Sequence, residues 1–335
     1  MNGPTLGDMI RPKMLTRLGS ALRRDIQTRT QELTTGRVAD RTRALGGDTG
    51  RATRLESARA ATTTGLEIAR GAALRLEAAQ LAMARIAEPA TETRNTLLRS
   101  VQTGTAGALA TAQTEAEGTF RQVVATLNTT LAGRRLFAGV ASDGPALASA
   151  DTMLDTLRAQ IAGAPTAGAA AATIADWFAP GGGFDADGYL GGPVADVPLR
   201  LPGDLTLPPG PTATDRAFRE TLAALATAAL AGEGPGAGDL RARSDMTAAA
   251  AARLGAAGDA LIGRAETLGR DEARVARAET VARSELHALD TALTDLLEAD
   301  PYETATRLEA AMSRLEALFT VAARSARLSL TGFLR

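Results

Sequence analysis

The chain has 335 residues, 45% of them hydrophobic, with 37 basic and 38 acidic side chains and a formal net charge of -1. That balance demands no polyanionic partner. There is no cysteine, and the single histidine is His287, so disulfides, thiolate metal sites, cysteine nucleophiles and any site needing two imidazoles are excluded.

The first arm carries Leu15, Leu18, Leu22, Ile26 and Leu33 at three- and four-residue spacing, interrupted by Arg29. Such a series places one apolar stripe along a helix. A second helix is predicted from about Asp48 to Val101, allowing for a kink at Pro89, because proline lacks the amide the helix needs. Thr103, Gly104 and Thr105 then predict a reversal. In the third arm, Leu109, Ala112, Ala116, Phe120, Val123, Leu127 and Leu131 follow at spacings close to 3.67 residues per turn, a narrow stripe on a nearly straight helix.

Ten of the 14 prolines fall between Pro145 and Pro235, together with five of the ten aromatic residues (Trp177, Phe178, Phe184, Tyr189 and Phe218). This middle segment reads as a mixed domain with helices near 151 to 163, 166 to 177 and 213 to 231, and strands within Tyr189 to Leu207. Glycines between Ala231 and Gly238 read as a flexible return. A long helix follows from about Leu240 to Asp300, which Gly255, Gly258, Gly263 and Gly269 are expected to break or loosen. Beyond Pro301, Ala305, Leu308, Met312, Leu315, Phe319, Ala322 and Ala326 form a heptad seam, with Phe333 near the end.

The expected fold class is mainly α: an elongated rod of long antiparallel helices with both termini at one end, plus a small mixed α/β domain inserted at the far end. The expected division is residues 1–36 as an N-terminal helix and 37–139 as rod helices. Residues 140–238 form the inserted domain, 239–299 the returning rod helix and 300–335 a C-terminal helix. Both terminal stripes are thin, so burial within one chain leaves the ordering of these arms largely uncompensated. Ordering is therefore expected when several chains pack together. The assembly residues on this reading are Leu15, Leu18, Leu22, Ile26 and Leu33 in the first arm. In the last they are Leu308, Met312, Leu315, Phe319, Ala322, Ala326 and Phe333. Arg17, Arg23, Arg24 and Arg29 are expected to set register against acids such as Glu303 and Glu309.

No catalytic, cofactor or metal site is predicted. Lys13 is the only lysine, the segment EGPGAG has neither the lysine nor the hydroxyl of a phosphate loop, and no GxSxG occurs. Residues 1 to 60 hold twelve basic and six acidic side chains, but these alternate and lack aromatic companions, so nucleic-acid binding is not expected. No apolar run reaches the length of a membrane span, and the first dozen residues lack the pattern of a secretory leader.

Three segments resemble the bacterial flagellin family: Glu32 to Asp40 (ELTTGRVAD), Leu127 to Gly139 (LNTTLAGRRLFAG) and Leu328 to Arg335 (LSLTGFLR). The first is similar to the close of that family's N-terminal helix, the second to the exit from a rod helix in its hook-filament junction branch, and the third to the end of its last helix. Gly46, Gly47, Asp48, Thr49 and Gly50 stand where the family commonly has an acidic pair and a proline. The resemblance implies a non-enzymatic flagellar subunit at the junction of hook and filament, forming a homo-oligomeric ring that meets hook-associated and flagellin subunits. It further implies type III export from the cytoplasm and a cytosolic export chaperone at the C-terminal helix. A filament subunit is the alternative, and a soluble signalling coiled coil a weaker one.

Overall fold

Long runs with apolar side chains every three or four residues produce long helices, and these dominate the chain. The computed structural model describes the backbone of residues 6–234 and 237–333 and the side chains of 13–234 and 237–324. In order come α1 (Leu6–Thr35), α2 (Arg41–Ala44), α3 (Gly50–Thr103), α4 (Ala106–Leu127), β1 (Thr130–Leu131), β2 (Arg134–Arg135), α5 (Ala150–Ile161) and α6 (Ala167–Phe178). A π-helical turn over Phe184–Gly188, β3 (Leu199–Leu201), β4 (Leu205–Leu207), α7 (Arg216–Ala229), α8 (Leu240–Leu297) and α9 (Pro301–Phe333) complete it. The fold is mainly α, with two small antiparallel strand pairs. Contacts divide it into two units, Met1–Thr63 with Ser284–Arg335, and Thr64–Arg283.

In the second unit, α3 turns into α4 at Gly104, whose φ of 66° is the left-handed conformation that glycine adopts without cost. The Thr105 hydroxyl caps α4 by accepting from the Ala108 amide. Leu109, Ala112, Ala116, Phe120, Val123 and Leu127 are all fully buried, as their spacing requires. Leu131 is not on that helix: α4 stops at Asn128, and Leu131 lies half-buried in β1. The reason is local. Ala132 and Gly133 both have positive φ, the geometry of a tight hairpin turn, while the Asn128 side chain pairs with both backbone groups of Leu147 at 3.0 and 3.1 Å.

Two long helices continue through residues that weaken a helix. Helix α3 runs through Pro89, with Ile86 and Ala90 buried on either side of it. Helix α8 continues through all four of its interior glycines because it packs on α3: Gln80 donates to the Ala265 carbonyl at 3.1 Å, and Arg94 lies across Gly255, where a Cβ would stand 3.0 Å from its Nε. Tertiary packing outweighs the roughly 1 kcal/mol that each glycine costs a helix. The pairs 80 with 265 and 94 with 255 also establish that α3 and α8 run antiparallel here. Between α3 and α4, the buried hydroxyls of Thr93 and Thr119 satisfy each other at 2.8 Å.

The helices of the middle segment lie close to their predicted places, each opened by a capping side chain: Ser149 for α5, Thr166 for α6 and Asp215 for α7. Trp177, Phe178 and Phe184 cluster with ring centroids 4.7 to 5.9 Å apart, and Phe137 meets Phe218 edge-on at 5.3 Å. Their core is continuous with that of α3, α4 and α8. Arg158 ties the corner together, reaching Glu117, Asp155 and Glu233 at 2.9 to 3.1 Å. Burial alone would lower the pKa of its guanidinium; the three carboxylates outweigh that and hold it above the usual range. Gly139, at φ 61°, lets its turn approach the carbonyls of Gly192 and Pro193, which a Cβ would meet at 2.4 and 2.5 Å. The predicted return from Ala231 to Gly238 falls partly on residues 235 and 236, outside the described residues. Phe120→Ala is expected to lower the stability of this unit by about 3 to 5 kcal/mol, the loss typical of a fully buried phenylalanine; denaturant unfolding followed by circular dichroism measures it.

Candidate assembly interface

Both terminal helices belong to the first unit, and within a single chain they already pack on each other. Alongside the expectation that the arms order when several chains pack together, each supplies the other's first apolar partner. The pairing is antiparallel. Gly19 faces Leu318, and at the other end the Ala299 amide donates to the Gly36 carbonyl at 3.0 Å while the Val38 amide donates to the Leu297 carbonyl at 2.9 Å.

Those two hydrogen bonds form a short bridge between the segment leaving α1 and the segment entering α9. Glu32, only 5% exposed, locks it. One of its carboxylate oxygens accepts from the Ala39 amide at 3.0 Å and the other from Arg29 at 2.8 Å, with Asp25 a further 3.3 Å from the same arginine. A buried carboxylate is tolerated only with such partners. On the other side, Asp300 caps α9 by accepting from the amides of Tyr302 and Glu303, and Pro301 occupies the first helical position, where its missing amide costs nothing.

The packed seam is offset from the predicted one. On α9 the side chains turned inward are Thr304, Leu308, Ala311, Leu315, Leu318 and Ala322, all buried or half-buried. This series shares Leu308, Leu315 and Ala322 with the predicted seam, whose Ala305 is half-buried beside Thr304. Met312 and Phe319 are instead 50% and 51% exposed. On α1 the inward residues are Leu15, Gly19, Leu22, Ile26, Arg29 and Glu32, whereas Leu18 and Leu33 are 50% and 44% exposed. At 18/19, 32/33 and 311/312 the small or polar residue faces the partner helix and the large apolar one faces away, and at 318/319 the leucine faces inward and the larger phenylalanine outward. Close approach explains the choice: a Cβ at Gly19 would already stand 3.5 Å from Leu318. The side chains of Ala326 and Phe333 lie outside the described residues.

The residues that sequence reasoning missed are therefore Gly19, Glu32, Thr304, Ala311 and Leu318. Glycine and alanine at heptad spacing were the available signal for two of them; nothing in the sequence marks Glu32 as buried. The charge pattern differs from expectation too. Arg29 pairs with Asp25 and Glu32 in its own helix, Glu303 pairs with Arg307 in its own, and Arg23 lies over the ring of Phe319, 5.8 Å from its centroid. Among the described residues there is no cluster of side chains suited to a metal ion, and no helix is long and apolar enough to cross a membrane.

Residues 11–142 match the family described as the bacterial flagellin N-terminal helical region. Among solved structures, the chain is similar to one from Vibrio parahaemolyticus described as a candidate flagellar hook-associated protein. Sequence identity is 13%, 73% of this chain and 95% of that one are covered, and the TM-score is 0.50. No curated protein sequence matches significantly.

Glu32→Gln keeps the shape of the clasp and removes its charge. It is expected to cost about 1 to 3 kcal/mol and to speed hydrogen exchange at the Ala39 amide, with exchange in the second unit unaltered; amide exchange by mass spectrometry or NMR reads both.

Proposed function

We propose that this chain, whose residues 11–142 match the bacterial flagellin N-terminal helical region, is a structural subunit of the bacterial flagellum that joins hook to filament by polymerising through α1 and α9. The observation that carries this reading is the offset seam. Leu18, Leu33, Met312 and Phe319, with Met14 at 67% and Val321 at 57%, leave large apolar side chains exposed on two helices whose inner faces are already in use. Scattered exposed leucines mean little, but apolar residues recurring along the outer faces of a helix pair mark a surface made to be covered. Neighbouring copies present the same two faces and so supply the cover, and repetition of one such contact closes a ring or extends a helix.

On this reading the predicted assembly residues divide by task. Leu15, Leu22, Ile26, Leu308, Leu315 and Ala322 hold the pair together within one chain; Leu18, Leu33, Met312 and Phe319 meet other chains. The subunit reaches its site by export through the flagellar type III apparatus, with a cytosolic chaperone covering the C-terminal helix beforehand. The likeness to a hook-associated protein's fold and the segment Leu127 to Gly139 favour the junction over the filament. Copy number distinguishes these two: a junction ring holds few subunits, a filament very many.

Phe319→Asp and Leu18→Asp are expected to leave the isolated chain folded, since both positions are exposed, and to abolish incorporation into flagella. Leu315→Asp is expected to unfold the first unit itself. Circular dichroism of the purified variants, with quantitative immunoblots of isolated flagella, reads the two effects separately. Normal incorporation of both exposed-face variants would contradict the proposal. A deletion strain that builds hooks but sheds filament monomers into the medium supports the junction, and a copy number matching the filament subunits would replace it with the filament.

A further inference from the structure

The second unit has an open apolar groove of about 730 Å³ between the end of α6, the start of α7 and α8. Phe178, Pro180, Ala223 and Ala256 give it apolar walls. Arg216, Arg219, Arg253 and Glu220 supply its charged lining. Arg219 is spoken for by Asp185 and by the Phe178 carbonyl, and Arg216 pairs with Glu220 at 2.6 Å, whereas Arg253 stands exposed at the rim. A groove of this kind suits an extended segment with apolar side chains and a carboxylate.

The same unit carries a segment of that description. Residues 193 to 200, PVADVPLR, are all exposed, and Val194 and Val197 leave 46% and 77% of their surface in solvent. Asp196 lies between them. The segment is held at both ends, by the Val140 amide donating to the Pro193 carbonyl at 3.1 Å and by the entry into β3 at Leu199. Pro193 and Pro198 restrict the backbone in between, so little conformational freedom remains to be lost on docking. Val194 and Val197 present apolar surface on either side of the Asp196 carboxylate, the chemistry that the groove takes.

We infer that Val194 to Val197 of one copy docks in the α6–α7–α8 groove of a second copy, Val197 against the apolar walls and Asp196 toward Arg253. The contact is heterologous, joining two different surfaces, so each copy retains a free segment on one side and a free groove on the other, and repetition builds a ring or a helical row. It does not depend on α1 and α9. It gives the middle segment a task that the terminal helices do not perform, which is side-to-side linkage between subunits.

The absence of cysteine makes a clean test possible. Full-length chain carrying Val197→Cys and full-length chain with a different tag carrying Ala256→Cys are mixed, concentrated and oxidised, and disulfide dimers bearing both tags are quantified. The expected result is far more mixed dimer than when Val197→Cys is paired with Thr103→Cys, an exposed residue elsewhere. Adding Asp196→Arg to the first chain is expected to reduce the yield by about tenfold or more, since like charges then meet in the contact, and Arg253→Asp in the second chain to restore it. A yield no greater than that of the Thr103→Cys control overturns the inference. So does rapid closure of a disulfide within a dilute chain carrying both cysteines, because the segment would then fill its own groove. Since the mixture contains only this protein, failure here leaves the terminal-helix assembly standing, and absence of the chain from flagella leaves this contact standing.

Discussion

Close approach of two thin helices is the constraint on which the rest of this structure depends. Helices α1 and α9 each offer an apolar stripe too narrow to be buried on all sides, and the space between them is set by Gly19 and by Ala311, which is 1% exposed. Small residues admit the partner helix and exclude large ones. The large residues are consequently displaced to the flanks, where a second layer of helices can reach them. One geometric decision thus produces both a stable pair within the chain and an unsatisfied surface around it. Had Met312 and Phe319 filled the inner seam, the pair would have been more self-sufficient and less adhesive.

The clasp at Glu32 makes that surface reproducible from copy to copy. Sliding α1 along α9 by one turn would still bury leucines against leucines, so apolar packing alone fixes register weakly. The bridge between Arg37 and Glu298 has one allowed alignment, and the Glu32 carboxylate on the Ala39 amide and the Asp300 cap hold its two sides in shape. Directional hydrogen bonds therefore specify what non-directional burial cannot. In the second unit Arg158 does comparable work, joining α4, α5 and the segment after α7 through three carboxylates.

How much of this could be read beforehand varies with the kind of information needed. Helix α4 was legible in detail, because a single narrow stripe buried on one side leaves no ambiguity about which residues are inside; its end was not, since the hairpin at Ala132 and Gly133 depends on backbone angles that an alanine does not advertise. The reversal at Gly104 was legible from its residue types. The length of α3 across Pro89 was legible too, whereas continuity of α8 through its glycines was not, because it is decided by neighbours distant in sequence, such as Arg94 over Gly255. The inner seam of α9 was not legible for a different reason. Two heptad phases share Leu308, Leu315 and Ala322 and differ only at the positions between them, where hydrophobicity favours Met312 and Phe319 and interhelical distance favours Ala311 and Leu318. Sequence reports the first quantity and not the second.

The central claim, that the outer face of the α1–α9 pair is bare in one chain and covered in the organelle, is open to direct measurement by oxidative footprinting of Met14, Met312 and Phe319. Dilute purified chain and intact flagella are exposed to the same brief dose of hydroxyl radical, and side-chain oxidation is read by mass spectrometry. The account predicts ready oxidation of all three in the dilute chain and strong protection in flagella. Equal oxidation in the two states would contradict it.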